Sequence, residues 1–257
     1  MTTEQLRAAF LVDKIFDNQK LTMHFTDLDR LAGGGIAPGA ESIFLENDKE
    51  TGSEFFLARR ELGIINVGSP GSVNVDGKHF TMANLDGLYV SMGSRNVSFS
   101  GQGAKFFLIS CPAHAVHPTT HIRKEDATPR ALGAQSTANQ RKIYQYIHAN
   151  GVKSCQLVMG FTDLAEGSVW NTMPPHTHSR RSEIYFYFDL GENIVAHFMG
   201  QPSATRHLFV QNDQAVLSPN WSIHCGCGTM AYKFIWAMAG ENQTFDDMDQ
   251  VAKLELR

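Results

Sequence analysis

The chain has 257 residues, a formal net charge of −4 and four cysteines. That length allows one large or two small β domains with real hydrophobic cores, and the balanced charge, without any like-charge block, excludes a nucleic-acid footprint or a polybasic membrane patch. No apolar run is long enough to span a bilayer, and the N-terminus lacks the basic-then-apolar layout of a secretory signal. Cys111, Cys155, Cys225 and Cys227 are too few for a disulfide framework, so a cytoplasmic protein is expected.

In chain order, "TTEQLRAAFLV" predicts a short helix capped by Thr2 or Thr3, with Leu6, Ala9 and Phe10 on one side. The next hundred residues read as strands. "SEFFLARRELGIINVG", "GSVNVDGKHFTM", "GLYVSMG" and "NVSFSGQGAKFFLIS" are short apolar or alternating runs punctuated by Gly, Asp-Gly and Pro-Gly, which is hairpin chemistry. From roughly Pro112 to Gly151 the pattern breaks into polar, turn-rich sequence, best read as a connector, and "RKIYQYIH" within it is ambiguous between strand and helix. Strands resume with "SCQLVMGFTDL", "EIYFYFDL", "NIVAHFMG", "HLFVQNDQAVLSP" and "AYKFIWAMAG". Such even spacing predicts an all-β chain of barrels or sandwiches, with minor helices. The expected division is a first barrel over 1–120, a connector over 121–150 and a second barrel over 151–257.

The halves echo each other. "FLARRELGIINVG" (56–68) and "HSRRSEIYFYFDLG" (178–191) both run Arg-Arg, glutamate, apolar strand, glycine turn, and "DGLYVSMGSRN" sits where "QAVLSPNWSIH" sits. The second copy adds three histidines. His176 and His178, at i and i+2, project to one face of a strand; Glu183 returns beside them after the polar turn "SRRS", and His224 follows a Ser-Pro turn. Three imidazoles and one carboxylate suit a divalent first-row ion such as zinc, iron or manganese. No histidine occupies the matching places of the first copy, so one ion per chain is expected, in the second half. Cys225 and Cys227 form a C-x-C without a second pair, a poor thiolate site.

"HTHSRRSE" has the H-x-H-x4-E form of the first cupin motif, and "PNWSIH" resembles the second, with Trp221 where glycine is usual. More closely, "VWNTMPPHTHSRRSEIYFYF", "LSPNWSIH", "ARRELGIINVG" and "GENQTFDDMD" resemble the 5-keto-4-deoxyuronate isomerase family across nearly the whole chain. The resemblance implies a bicupin of tandem double-stranded β-helix barrels. It implies one Zn2+ held by His176, His178, Glu183 and His224, and a homo-oligomer, commonly a hexamer. It also implies a small-molecule keto-uronate substrate, 5-dehydro-4-deoxy-D-glucuronate, isomerised to 3-deoxy-D-glycero-2,5-hexodiulosonate in pectin and hexuronate breakdown. The alternatives for this ligand set are an iron or manganese cupin dioxygenase and a non-catalytic sugar-binding bicupin.

A ketol isomerisation needs an electrophile for the developing oxyanion and a base to move a proton. With Glu183 spent as a ligand, Glu241, Asp246 and Asp247 are the candidate bases. Tyr185 and Tyr187 share the face of Glu183 and are candidates to line the pocket; the alternative is a pair of core aromatics with satisfied hydroxyls. Arg180, Arg181 and Arg206 are candidates for the substrate carboxylate, against turn or interface arginines. Trp170 and Trp221 flank the motifs as possible pocket walls. His197 and His207 are expected in strand packing, and His114, His117 and His121 in the connector.

Overall fold

The computed structural model describes residues 1–257. Antiparallel sheets dominate, and the chain divides into two compact units whose boundaries interleave: residues 14–128 with 146–159, and residues 1–13 with 129–145 and 160–257. The all-β bicupin expectation holds.

In the first unit a six-stranded sheet has the order Thr120–Ile122, Gly87–Val90, Arg60–Asn66, Phe106–Pro112, Ala32–Ile36, Thr22–Phe25. A four-stranded sheet runs Ile43–Phe44, Val97–Ser100, Gly71–Val75, Lys78–Met82. Alternation along Val73, Val75, Val97 and Phe99 packs against Leu62, Ile64, Phe106 and Leu108 to form one core. In the second unit the larger sheet runs Leu11–Val12, Gln214–Ser218, Arg181–Phe188, Lys233–Gly240, Val158–Leu164, Arg141–Ile147, Arg130–Leu132. Its companion runs Trp170–Asn171, Cys225–Gly228, Val195–Gln201, Ala204–Val210. The Arg60–Asn66 strand lies between Gly87–Val90 and Phe106–Pro112, as Arg181–Phe188 lies between Gln214–Ser218 and Lys233–Gly240. The sequence echo is therefore a repeated topology. All eight residues of Arg181–Phe188 are buried, which explains why the strand is apolar on both alternating faces.

Three features differ from the sequence reading. The stretch read as a connector carries strands Thr120–Ile122, Arg130–Leu132 and Arg141–Ile147. Its polar composition reflects an edge position: Arg130–Leu132 pairs only with Arg141–Ile143, as the last hairpin of its sheet. Residues 1–13 belong to the second unit, where Leu11 and Val12 pair with Val216 and Ala215. The helix is Thr3–Phe10, capped by Thr2 in a capping box with Gln5. It buries Leu6 but leaves Ala9 exposed.

Candidate metal centre and its cavity

His176 begins a two-residue strand paired with Asp249–Gln250, and Glu183 sits inside the long strand opposite Ser218 and Met238. His224 follows the Pro219–Ser222 turn, where Ser222 N–H donates to Pro219 O. These elements bring four donor atoms together. His176 Nε2 lies 3.1 Å from His178 Nε2 and 3.0 Å from His224 Nε2, and Glu183 Oε2 lies 3.2 Å from His224 Nε2 and 3.5 Å from His178 Nε2. All four residues are buried.

The hydrogen bonds on the far sides of the rings fix what these atoms are. His178 Nδ1 lies 3.0 Å from the Asp247 carbonyl, which only accepts, and 3.2–3.3 Å from the Arg181 guanidinium, which only donates; the shorter contact favours a proton on Nδ1, which leaves the Nε2 lone pair pointing inward. His224 Nδ1 lies 3.2 Å from Ser218 Oγ, a partner that suits the same tautomer. Burial, reinforced by His178 and by Arg181 and Arg141, pushes His176 down to about 3, and burial pushes His224 well below the ordinary histidine value. The Glu183–His224 contact is therefore not an ion pair, and Glu183 Oε2 has no hydrogen-bond partner. Lone pairs so crowded repel unless a cation sits among them. A tetrahedral ion with bonds of about 2.1 Å separates its ligand atoms by about 3.4 Å, and the four separations here, 3.0–3.5 Å, lie at or a little below that spacing. The residues fit a divalent metal.

The first unit shows the contrast. Glu61, at the matching place, accepts N–H bonds from Cys155, Gln156 and Leu157 at 2.8–2.9 Å and a hydroxyl bond from Tyr89 at 2.9 Å. Its carboxylate is fully spent within its own unit.

A cavity of about 220 Å³ opens over the cage. His176, His178 and Glu183 form part of its lining, with Tyr185, Thr172, Trp236 and Phe245 among its walls. Of the three carboxylates proposed from sequence, Asp246 lines the cavity and Glu241 and Asp247 do not. Asp247 is clamped by Arg180 at 2.6–3.0 Å, which with Asn242 holds it well below the usual carboxylate range. Arg180 also pairs with Asp249. Arg181 is buried and donates to the carbonyls of Thr244, Phe245 and Asp247, so it anchors the acidic tail as a cavity wall. Arg206 lies outside the lining and donates to Thr205 O. Tyr187 also lies outside it, with its hydroxyl 2.7 Å from His197 Nδ1; it is a core aromatic. Trp170 stacks on Phe198, and Trp221 is 49% exposed; neither walls the cavity. His121 pairs with Asp86, and no group of metal-competent side chains forms there.

Four cavity residues come from the stretch read as a connector, Arg130, Leu132, Arg141 and Ile143, and two of them are charged. Arg141 makes one hydrogen bond, to Asn139 O, and its guanidinium faces the cavity without an acidic partner. Arg130 lies over the Phe245 ring and 3.4 Å from Asp246. Both open strands with Arg-x-apolar alternation ("RAL", "RKIYQY"), a signal available in the sequence but masked by the polar residues around it.

The fold and the cage define a bicupin with a single metal-competent site. The chain belongs to the KduI/IolB family, whose model matches residues 11–253. It is 56% identical to the 4-deoxy-L-threo-5-hexosulose-uronate ketol-isomerase of Opitutus terrae, over 99% of this chain and 94% of that protein. It is 50% identical to the enzyme of the same name from Bacillus subtilis, over 97% and 92%. Among solved structures, an IolB-like protein from Salmonella typhimurium superposes with a TM-score of 0.75 at 14% identity, over 94% of this chain and 96% of that one. A Bacillus subtilis oxalate decarboxylase superposes at 0.58 with 10% identity, over 84% and 70%; both likenesses concern the fold. The chain is a ketol-isomerase, an intramolecular oxidoreductase. No helix is long and apolar enough to cross a membrane.

Proposed function

We propose that the chain isomerises 5-dehydro-4-deoxy-D-glucuronate to 3-deoxy-D-glycero-2,5-hexodiulosonate, with one zinc ion held by His176, His178, Glu183 and His224. The observation that carries the reading is the unpartnered, buried Glu183 oxygen within a cage of imidazole nitrogens, at a cavity that also presents a guanidinium. When bound, the ion supplies an electrophile toward neighbouring carbonyl and hydroxyl oxygens and stabilises the negative charge that develops on them.

The chain's own residues do the rest. Arg141, free of carboxylate partners, holds the substrate carboxylate through its remaining N–H groups. Asp246, the carboxylate in the lining, takes the proton from one carbon and returns it to its neighbour, and Arg130, 3.4 Å away, orients it. Trp236, Phe245 and Met248 exclude bulk water from the reacting carbons. The free thiols suit a reducing cytoplasm, and the exposed Phe209, Trp221 and Met230 side chains suit burial between copies in a homo-oligomer.

The test is turnover of this keto-uronate by metallated protein under strict anaerobiosis, with metal analysed on the same sample. Conversion to the isomer without oxygen supports the reading. Coupled oxygen uptake, or no conversion by fully metallated protein, overturns it. Asp246→Asn is expected to lower kcat about 10²-fold with metal retained.

A further inference from the structure

Thr172 follows the Trp170–Asn171 strand and adopts φ +48°. This is the left-handed region, where a β-branched side chain crowds its own backbone and is seldom found. No turn glycine relieves it; the next residues, Met173 and Pro174, continue along the cavity wall. Strain of this kind persists where the surrounding fold holds a side chain in a functional position. What the strain achieves is visible in the cavity. The Thr172 side chain enters the lining, and Oγ1 reaches 3.4 Å from the Tyr185 hydroxyl.

Tyr185 is itself held on every side. Its ring stacks on Phe234 at 5.2 Å, meets the His224 ring at 5.2 Å and meets the edge of His197 at 5.5 Å. Its side chain is buried, with the hydroxyl at the cavity lining. The contact with Thr172 is long for a hydroxyl pair, whose usual separation is about 2.8 Å, so neither group is satisfied by the other. Two hydroxyls so spaced form a fork that an oxygen atom can enter.

We propose that Thr172 and Tyr185 together seat a hydroxyl or carbonyl oxygen of the substrate, orienting its carbon chain between Arg141 and the metal cage. The assignment rests on the keto-uronate reading. Thr172 supplies the hydroxyl at the cost of backbone strain, and Tyr185 supplies it from a rigid aromatic stack.

The test compares zinc-loaded Thr172→Ser, Thr172→Val, Thr172→Gly and Tyr185→Phe with the wild type. Serine keeps the hydroxyl and is expected to stay within about threefold of wild-type kcat/KM, whereas valine keeps the branched shape and is expected to lose about tenfold. Glycine removes strain and hydroxyl together, so its melting temperature is expected at or above wild type while kcat/KM falls as for valine. Combining Thr172→Val with Tyr185→Phe is expected to cost less than the product of the single losses, as for groups sharing one oxygen. Zinc content stays at wild-type level throughout. Wild-type kcat/KM in Thr172→Val, or a melting temperature of Thr172→Gly that falls along with activity, overturns the proposal. Failure of the wild type to convert the keto-uronate counts against the functional reading instead. The fork is then judged by calorimetric binding of D-glucuronate to the zinc-loaded proteins. Weaker binding to valine than to serine supports it; equal binding, or none by the wild type, overturns it.

Discussion

Glu183→Gln is expected to stabilise the metal-free protein, while the same substitution at Glu61 destabilises it. In the absence of metal, Glu183 Oε2 faces imidazole lone pairs at 3.2 and 3.5 Å with no donor. An amide N–H placed there donates to His224 Nε2 and removes a buried, unsatisfied acceptor. Leaving such a group unsatisfied costs about 1–3 kcal/mol, so the variant gains that much. At about 2–4 °C per kcal/mol for a chain of this size, its melting temperature rises by about 2–12 °C. At Glu61 every oxygen already has donors: Gln156 and Leu157 N–H on Oε1, Cys155 N–H and Tyr89 O–H on Oε2. Glutamine turns its amide against two of these donors. Losing two charge-assisted bonds costs about 3–6 kcal/mol. The assay is thermal unfolding of chelator-treated wild type and both variants, repeated with added zinc. Zinc is expected to raise the wild type by the binding linkage and to raise Glu183→Gln much less. A Glu183→Gln protein destabilised without metal as much as Glu61→Gln would refute the reasoning, because Glu183 would then be a structural acceptor.

Arg141→Met is expected to lower kcat/KM for the keto-uronate about 10²-fold, mostly through KM, while zinc content and melting temperature hold; steady-state kinetics and metal analysis check this. Arg180→Ala is expected to weaken the tail that walls the cavity, with a pH signature. Arg180 depresses Asp247 in the folded state, so the stabilisation is present above about pH 4 and lost as pH falls through the folded value. Denaturant unfolding should therefore show a wild-type advantage near pH 7 that shrinks toward zero in acid. Residues 153–257 expressed alone are expected to be insoluble, because the second unit also needs residues 1–13 and 129–145, including Arg141; solubility and mass in solution test this.

The four side chains of the proposed metal cage are legible because each is placed by local geometry: i, i+2 on a strand, a short polar turn, and a Ser-Pro turn before His224. The duplication was legible for the same reason, since Arg-Arg-x-Glu or Arg-Arg-Glu opens the central strand of both larger sheets. What the sequence hid is set by partners distant along the chain. Arg181 and Arg180 look alike, yet the tail at 244–249 folds back onto both, burying one against carbonyls and pairing the other with aspartates. Tyr185 and Tyr187 share a face, but depth along the barrel separates them: one lines the cavity and the other meets His197 in the core. Arg130 and Arg141 were hidden because an edge hairpin carries the polar composition of a loop. The interleaving of 1–13 and 146–159 between units leaves no mark in composition. Thr172 is invisible in sequence altogether, because a left-handed threonine differs from any other only in its φ.

The central claim is that one divalent metal, held by the second unit, serves an oxygen-independent isomerisation. The most direct measurement is bound metal and anaerobic keto-uronate turnover in His176→Ala beside wild type, each with its circular dichroism spectrum. One metal per wild-type chain is expected, with loss of stoichiometric metal and of turnover in His176→Ala while the spectrum is unchanged. A folded His176→Ala protein that retains a full equivalent of tightly bound metal, or that turns over at the wild-type rate without one, would contradict it.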